Sequence, residues 1–252
     1  AVLAAATEER KETAEKPMVV VMAAGGALLD AAQQLSLPAV TLPAGLQPRF
    51  TVGYQLRALI EILEQTPLLA GARAQLEAVA PWLQSEAAAL VPTVPTEQNP
   101  AKQLAQELMG KTPVIYAGQL LAPAAYKWKI NINECAKNVA WCGTLPEFNH
   151  NEFIGWTGQP VEKPYAIVDL LSPLEHPRVQ KRFEISDRLL SGKRPAAHAV
   201  TVRGETKPQQ LLWTIIFGDF VSLYLAMLNG VNPTPVDLIE KLKEVLGDKD
   251  AA

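Results

Sequence analysis

Apolar residues follow two rhythms along this chain. Short unbroken apolar runs read as buried parallel strands, and longer stretches with apolar residues every three or four positions read as amphipathic helices. The strand-like runs are Met18 to Met22, Pro38 to Leu42, Thr112 to Ala117, Tyr165 to Leu171 and Ala197 to Val202. The helical stretches are Ala4 to Lys16, Ala27 to Leu35, Arg49 to Leu63, Pro67 to Leu90, Ala101 to Met109, Leu120 to Val139, Glu175 to Ser191, Gln209 to Asn229 and Pro235 to Leu246. Strands and helices alternate, which predicts an α/β fold with parallel sheets. Between Leu145 and Ile154 the pattern predicts a loop running into a short helix that bears His150. Pro92, Pro95 and Pro100 stand among polar residues and suggest a connector. That places a boundary near residue 98 and predicts two α/β units, 1–98 and 99–252.

Composition narrows the partners. In 252 residues, hydrophobic residues make up 48% and charged ones 19%, enough for a sizeable core. The formal charge of −3 offers no basic field for nucleic acid or an anionic membrane. The longest apolar stretch, Leu211 to Met227, is interrupted by Asp219, and the first residues lack a signal-peptide pattern. Cys135 and Cys142 are the only cysteines, which reads as two reduced thiols in a cytoplasmic protein. No His, Cys and carboxylate cluster has metal-ligand spacing, so neither metal nor cofactor is expected.

The chemistry-bearing stretch is Ile130 to Trp156, ININECAKNVAWCGTLPEFNHNEFIGW. Asn131 and Asn133 precede Glu134, and Asn149 and Asn151 bracket His150. Such polar clusters cost stability when buried without partners, so they are commonly kept for recognition or proton transfer. Taken alone, Glu134 reads more readily as a helix-surface carboxylate paired with a nearby lysine. His176, before a proline at a helix start, and His198, in a strand, read as structural.

The phrases N-x-N-E-C-A-K-N and L-P-E-F-N-H-N-E, with L-N-G-V-N-P-T-P-V-D-L-I-E-K-L-K near the end, resemble the bifunctional phosphoglucose/phosphomannose isomerases of the sugar isomerase (SIS) superfamily. The resemblance implies two SIS-type, doubly wound parallel-sheet units. It also implies interconversion of glucose 6-phosphate, and mannose 6-phosphate, with fructose 6-phosphate through a cis-enediol, a step of glycolysis and gluconeogenesis. By this likeness Glu134 shuttles the proton between C1 and C2. His150, contributed across a homodimer interface, opens the sugar ring together with Lys243, for which neighbouring Lys241 is the alternative. Arg49 supports the developing enediolate charge. Thr234, which also reads as the N-cap of the last helix, leaves room for both hexoses.

The same likeness places a longer segment upstream, with a Gly-Gly-Ser turn and a Ser-x-Ser-Gly-Asn-Thr loop that clasp the sugar phosphate. Ala1 falls at about the end of that loop, so the first unit is expected to be N-terminally incomplete. The expectation is then a fragment of a longer product, or a reduced member acting as a non-catalytic sugar-phosphate-binding module. The turn Ala23-Ala24-Gly25-Gly26 reads as chain reversal, with phosphate binding as its alternative.

Overall fold

The computed structural model describes residues 18–158 and 164–247. The helix expected over Ala4 to Lys16 lies outside them. The chain falls into two compact units, Ala1–Ala78 and Val79–Ala252. The Pro-rich stretch at 91–100 lies inside the second.

In the first unit, β1 (Val21–Ala23) pairs in parallel with β2 (Ala39–Thr41) across α1 (Ala27–Gln34). Val21, Ala32 and Leu37 form its small core. Gly26 precedes α1 with φ +76°, a conformation that glycine adopts without strain. A 3-10 turn, Pro48–Phe50, then leads into α2 (Val52–Glu64). The helix expected from Arg49 therefore begins at Val52. The next helix, α3 (Ala72–Ala87), carries Pro81 in its interior.

The second unit is a four-stranded parallel sheet in the order β4-β3-β5-β6. Its elements are α4 (Pro100–Leu108), β3 (Thr112–Ala117), α5 (Ala122–Ala136), β4 (Trp141–Thr144), the one-turn α6 (Glu152–Gly155), β5 (Tyr165–Leu171), α7 (Pro177–Leu190), β6 (Ala197–Thr201), α8 (Lys207–Leu228) and α9 (Asp237–Gly247). Sequence periodicity missed β4: the run WCGT is too short, and too exposed at Trp141, to stand out.

Alternation along the strands sorts side chains to two faces. Ile115, Ala117, Val168 and Leu170 pack with Trp128, Ile132, Trp213 and Phe217 under α4, α5 and α8. Val114, Tyr116 and Ile167 pack with Phe148 and Phe183 on the other face. Helices on both faces explain why β3 and β5 read as continuous apolar runs.

Helix starts follow local chemistry. Asn99 caps α4 by accepting from the Ala101 and Lys102 N–H groups at 3.1 and 3.2 Å. His176 Nδ1 accepts from Arg178 N at 3.1 Å and caps α7, the structural role its place before Pro177 suggests. Thr206 and Gln209 form a reciprocal capping box on α8. α8 is long and apolar enough to cross a membrane by length and composition alone, yet 56% of its most apolar window is buried in this unit.

Candidate functional site

Glu134 lies in the last turn of α5. The helix buries Ala124, Ala125, Trp128, Ile132 and Cys135 on its inner side and leaves Glu134 half-buried beside that stripe. The turn is closed by Lys137, which adopts a left-handed conformation, φ 52° and ψ 35°, where glycine is usual. The ammonium of Lys137 donates to the Glu134 carbonyl and, at 2.6 Å, to the Pro235 carbonyl. Asn229 Nδ2 donates to Ala136 O at 3.1 Å, satisfying another carbonyl at this helix end. Asn133 Oδ1 accepts from Ala140 N at 2.9 Å and so sets the turn into β4. A cleft of about 700 Å³ results, with Asn133, Glu134, Lys137 and Trp141 on one side and Pro235 and Ile239 on the other.

One to two turns below Glu134, α5 is fixed against α8 by a largely buried polar trio. Lys127 Nζ donates to Asn131 Oδ1 at 2.7 Å and to Asp219 Oδ1 at 2.8 Å, and Asn131 Nδ2 donates to the same Asp219 oxygen. Burial pushes the Asp219 carboxyl up, with Lys127 and Asn131 pulling against it. Alongside, Gly218 faces the Trp128 indole so closely that a Cβ there would overlap it, and the indole N–H reaches Thr214 O at 2.8 Å.

His150 is exposed, and its N–H donates to Glu147 O at 2.9 Å where the 3-10 turn Glu147–Asn149 ends. The short helix expected to bear it starts two residues later, because Asn151 caps α6 by accepting from Glu152 N. Asn149 ties this turn to α7: its amide donates to Ser186 Oγ at 2.8 Å and its oxygen accepts from Arg182 at 3.2 Å. The bracketing asparagines therefore hold the turn and present the imidazole to solvent. His150 is not among the residues lining the Glu134 cleft.

Lys243 is exposed on α9 and pairs with Glu240 at 2.8 Å, outside the lining of that cleft. α9 begins at Asp237, two residues later than expected, and Thr234 lies in the segment before it with its N–H on Asn232 Oδ1 at 2.9 Å. Arg49, in the first unit, is 6% exposed and not a surface group; its guanidinium lies 5.1 Å from the Phe50 ring centre. Within one chain, then, Glu134 has its cleft, and His150 and Lys243 stand elsewhere on the second unit.

A second crevice, of about 570 Å³, escaped the sequence reading. It opens where β3 and β5 end, the place where strand order reverses and where α/β sheets usually take ligands. Glu175 fills its mouth: Oε2 accepts from Leu120 N at 2.9 Å ahead of α5, and Oε1 accepts from His176 N at 3.1 Å. Gly118 has no side chain, and any Cβ there would overlap the Glu175 carboxylate. Behind it lies Asp169, whose carboxyl burial pushes up to about 6 although Arg194 stands 3.6 Å away. The Asp inside the apolar run YAIVDLL was the available signal. Among the described residues, no group of three His, Cys, Asp or Glu side chains could hold a metal.

Residues 97–246 match the family model for the bacterial phospho-glucose isomerase C-terminal SIS domain. The bifunctional phosphoglucose/phosphomannose isomerase of Caldicellulosiruptor bescii is 32% identical over 233 residues, 91% of this chain and 68% of the relative. Its counterpart from Aquifex aeolicus is 28% identical, covering 92% of this chain and 68% of that one. Among solved structures, a glucose-6-phosphate isomerase-like protein from Thermus thermophilus superposes with a TM-score of 0.64 at 22% identity, covering 96% of this chain and 95% of that one. The fold is shared with that protein, and by the match over its second unit the chain belongs to the bacterial phospho-glucose isomerase C-terminal SIS domain family.

Proposed function

We propose that this chain is an aldose–ketose isomerase that interconverts glucose 6-phosphate and mannose 6-phosphate with fructose 6-phosphate. The observation that carries the reading is the half-buried Glu134 on the wall of a cleft wide enough for a hexose. The names of its relatives point the same way.

In this reading Glu134 takes the proton from C2 of the open-chain aldose, the electron pair forms the C1–C2 double bond as a proton passes from O2 to O1, and the same carboxyl returns its proton to C1 as C2 becomes the carbonyl. Ring opening needs a second proton carrier. The exposed His150 suits that role if it enters the Glu134 cleft of a second copy, and Lys243 acts beside it. Arg49 supports the developing charge on the enediolate oxygen, and Thr234, before Pro235 on the cleft wall, bounds the space around C2 and C3. The site is assigned to a homodimer in the cytoplasm and uses no metal.

Glu134→Gln keeps the shape and removes the base. Fructose 6-phosphate turnover is expected to fall by about 10²- to 10⁴-fold with sugar-phosphate binding retained. Turnover equal to the parent's would overturn the assignment.

A further inference from the structure

Lys137 occupies a position where a lysine is unfavourable. Its left-handed backbone suits glycine or asparagine, and a bare cap would be met by either. What the lysine adds is its side chain, which reaches back three residues to the Glu134 carbonyl and across to the Pro235 carbonyl. The second bond plays no part in ending α5, because its partner is 98 positions away in the sequence. It joins the two walls of the cleft: one is the turn that bears Glu134, the other the segment from Pro235 to Ile239 that opens α9. The positive charge also sits at a helix C-terminus, where the peptide dipoles favour it.

Among the described residues, burial does little to hold α9. None of its residues is buried, and Leu238 is 82% exposed. Its first turn is marked by the Ile239 and Glu240 N–H groups, which both donate to the Val236 carbonyl, one residue beyond the clamp.

We infer that Lys137 is a positioning residue that sets the width of the cleft and the direction of Glu134 by bridging both walls through one ammonium group. The kinetic consequence rests on the isomerase reading above; the structural one does not. The test compares Lys137→Gly, which fits the backbone and deletes the bridge, with Lys137→Met, which keeps bulk without donors, and Lys137→Arg, which restores them. Amide exchange at Ile239 and Glu240 is expected to quicken by about tenfold in the Gly and Met variants, with the melting temperature of the Gly variant no lower than the parent's. In the full protein, kcat for fructose 6-phosphate is expected to fall by about tenfold with KM nearly unchanged, and Arg to recover most of both losses. Parental exchange at these amides in both variants would overturn the inference. Should Glu134→Gln retain full turnover, the isomerase reading falls while the exchange arm still decides the clamp. An inactive Glu134→Gln beside parental exchange and kinetics in the Lys137 variants removes the clamp alone.

Discussion

The two clefts of the second unit sit at opposite ends of the same sheet. The Glu134 cleft opens where α5 finishes and β4 begins; the other opens where β3 and β5 finish. Fold-level experience favours the second, since α/β sheets bind ligands beyond the carboxyl ends of their strands. Here that place already holds an anion of the chain's own, the Glu175 carboxylate on the Leu120 N–H. The Glu134 cleft, by contrast, is built from a helix terminus and a loop, with its carboxylate residue on the wall. The comparison teaches that a switch point names a location and the side chains there decide its use.

The difference can be broken from either side. The largest effect is expected from Gly218→Val, which drives a branched side chain into the Trp128 indole and displaces α5. Overpacking together with loss of the indole bond to Thr214 should cost on the order of 4 kcal/mol in urea unfolding. Loss of the Glu134 site with the second crevice intact is the expected pattern in the folded remainder.

Asp169 gives the next effect. Its folded pKa of about 6 lies above the ordinary 3.8, so the folded state holds the proton more tightly than the unfolded one. Its contribution is full below pH 4 and is lost as pH rises through 6, a decline of about 3 kcal/mol. Asp169→Asn should flatten that part of the stability profile, measured by denaturant unfolding between pH 4 and 7; an unchanged slope would place the charge elsewhere. The smallest is Glu175→Ala, expected to cost about 1 kcal/mol by stripping an acceptor from the Leu120 N–H. It should also let inorganic phosphate raise the melting temperature, which phosphate should not do for the parent. Equal shifts in both would show that the carboxylate does not hold an anion's place.

Much of this was legible before any coordinates. Continuous apolar runs located β3 and β5 because both faces of those strands are covered, and the helix expected over Glu175 to Ser191 is α7 within two residues at its start and one at its end. β4 was hidden because four residues with an exposed tryptophan carry no periodicity. The asparagines around His150 looked like recognition groups, and they hold a turn instead; sequence cannot tell a polar residue that binds a ligand from one that binds its neighbour. The Glu175 anion could not be read at all, since it depends on residues 55 positions apart meeting beyond the ends of the neighbouring strands β3 and β5.

The trio of Lys127, Asn131 and Asp219 bears on how accurately Glu134 is held. Lys127 lies seven residues, and so about 10 Å, below it on one rigid helix. Sliding α5 by a single turn along α8 would part an ammonium and a carboxylate in a partly buried seam, a mismatch that should cost stability. The seam thus behaves as an index pin: the height of the carboxylate is chosen two turns away, by charges that never meet a substrate.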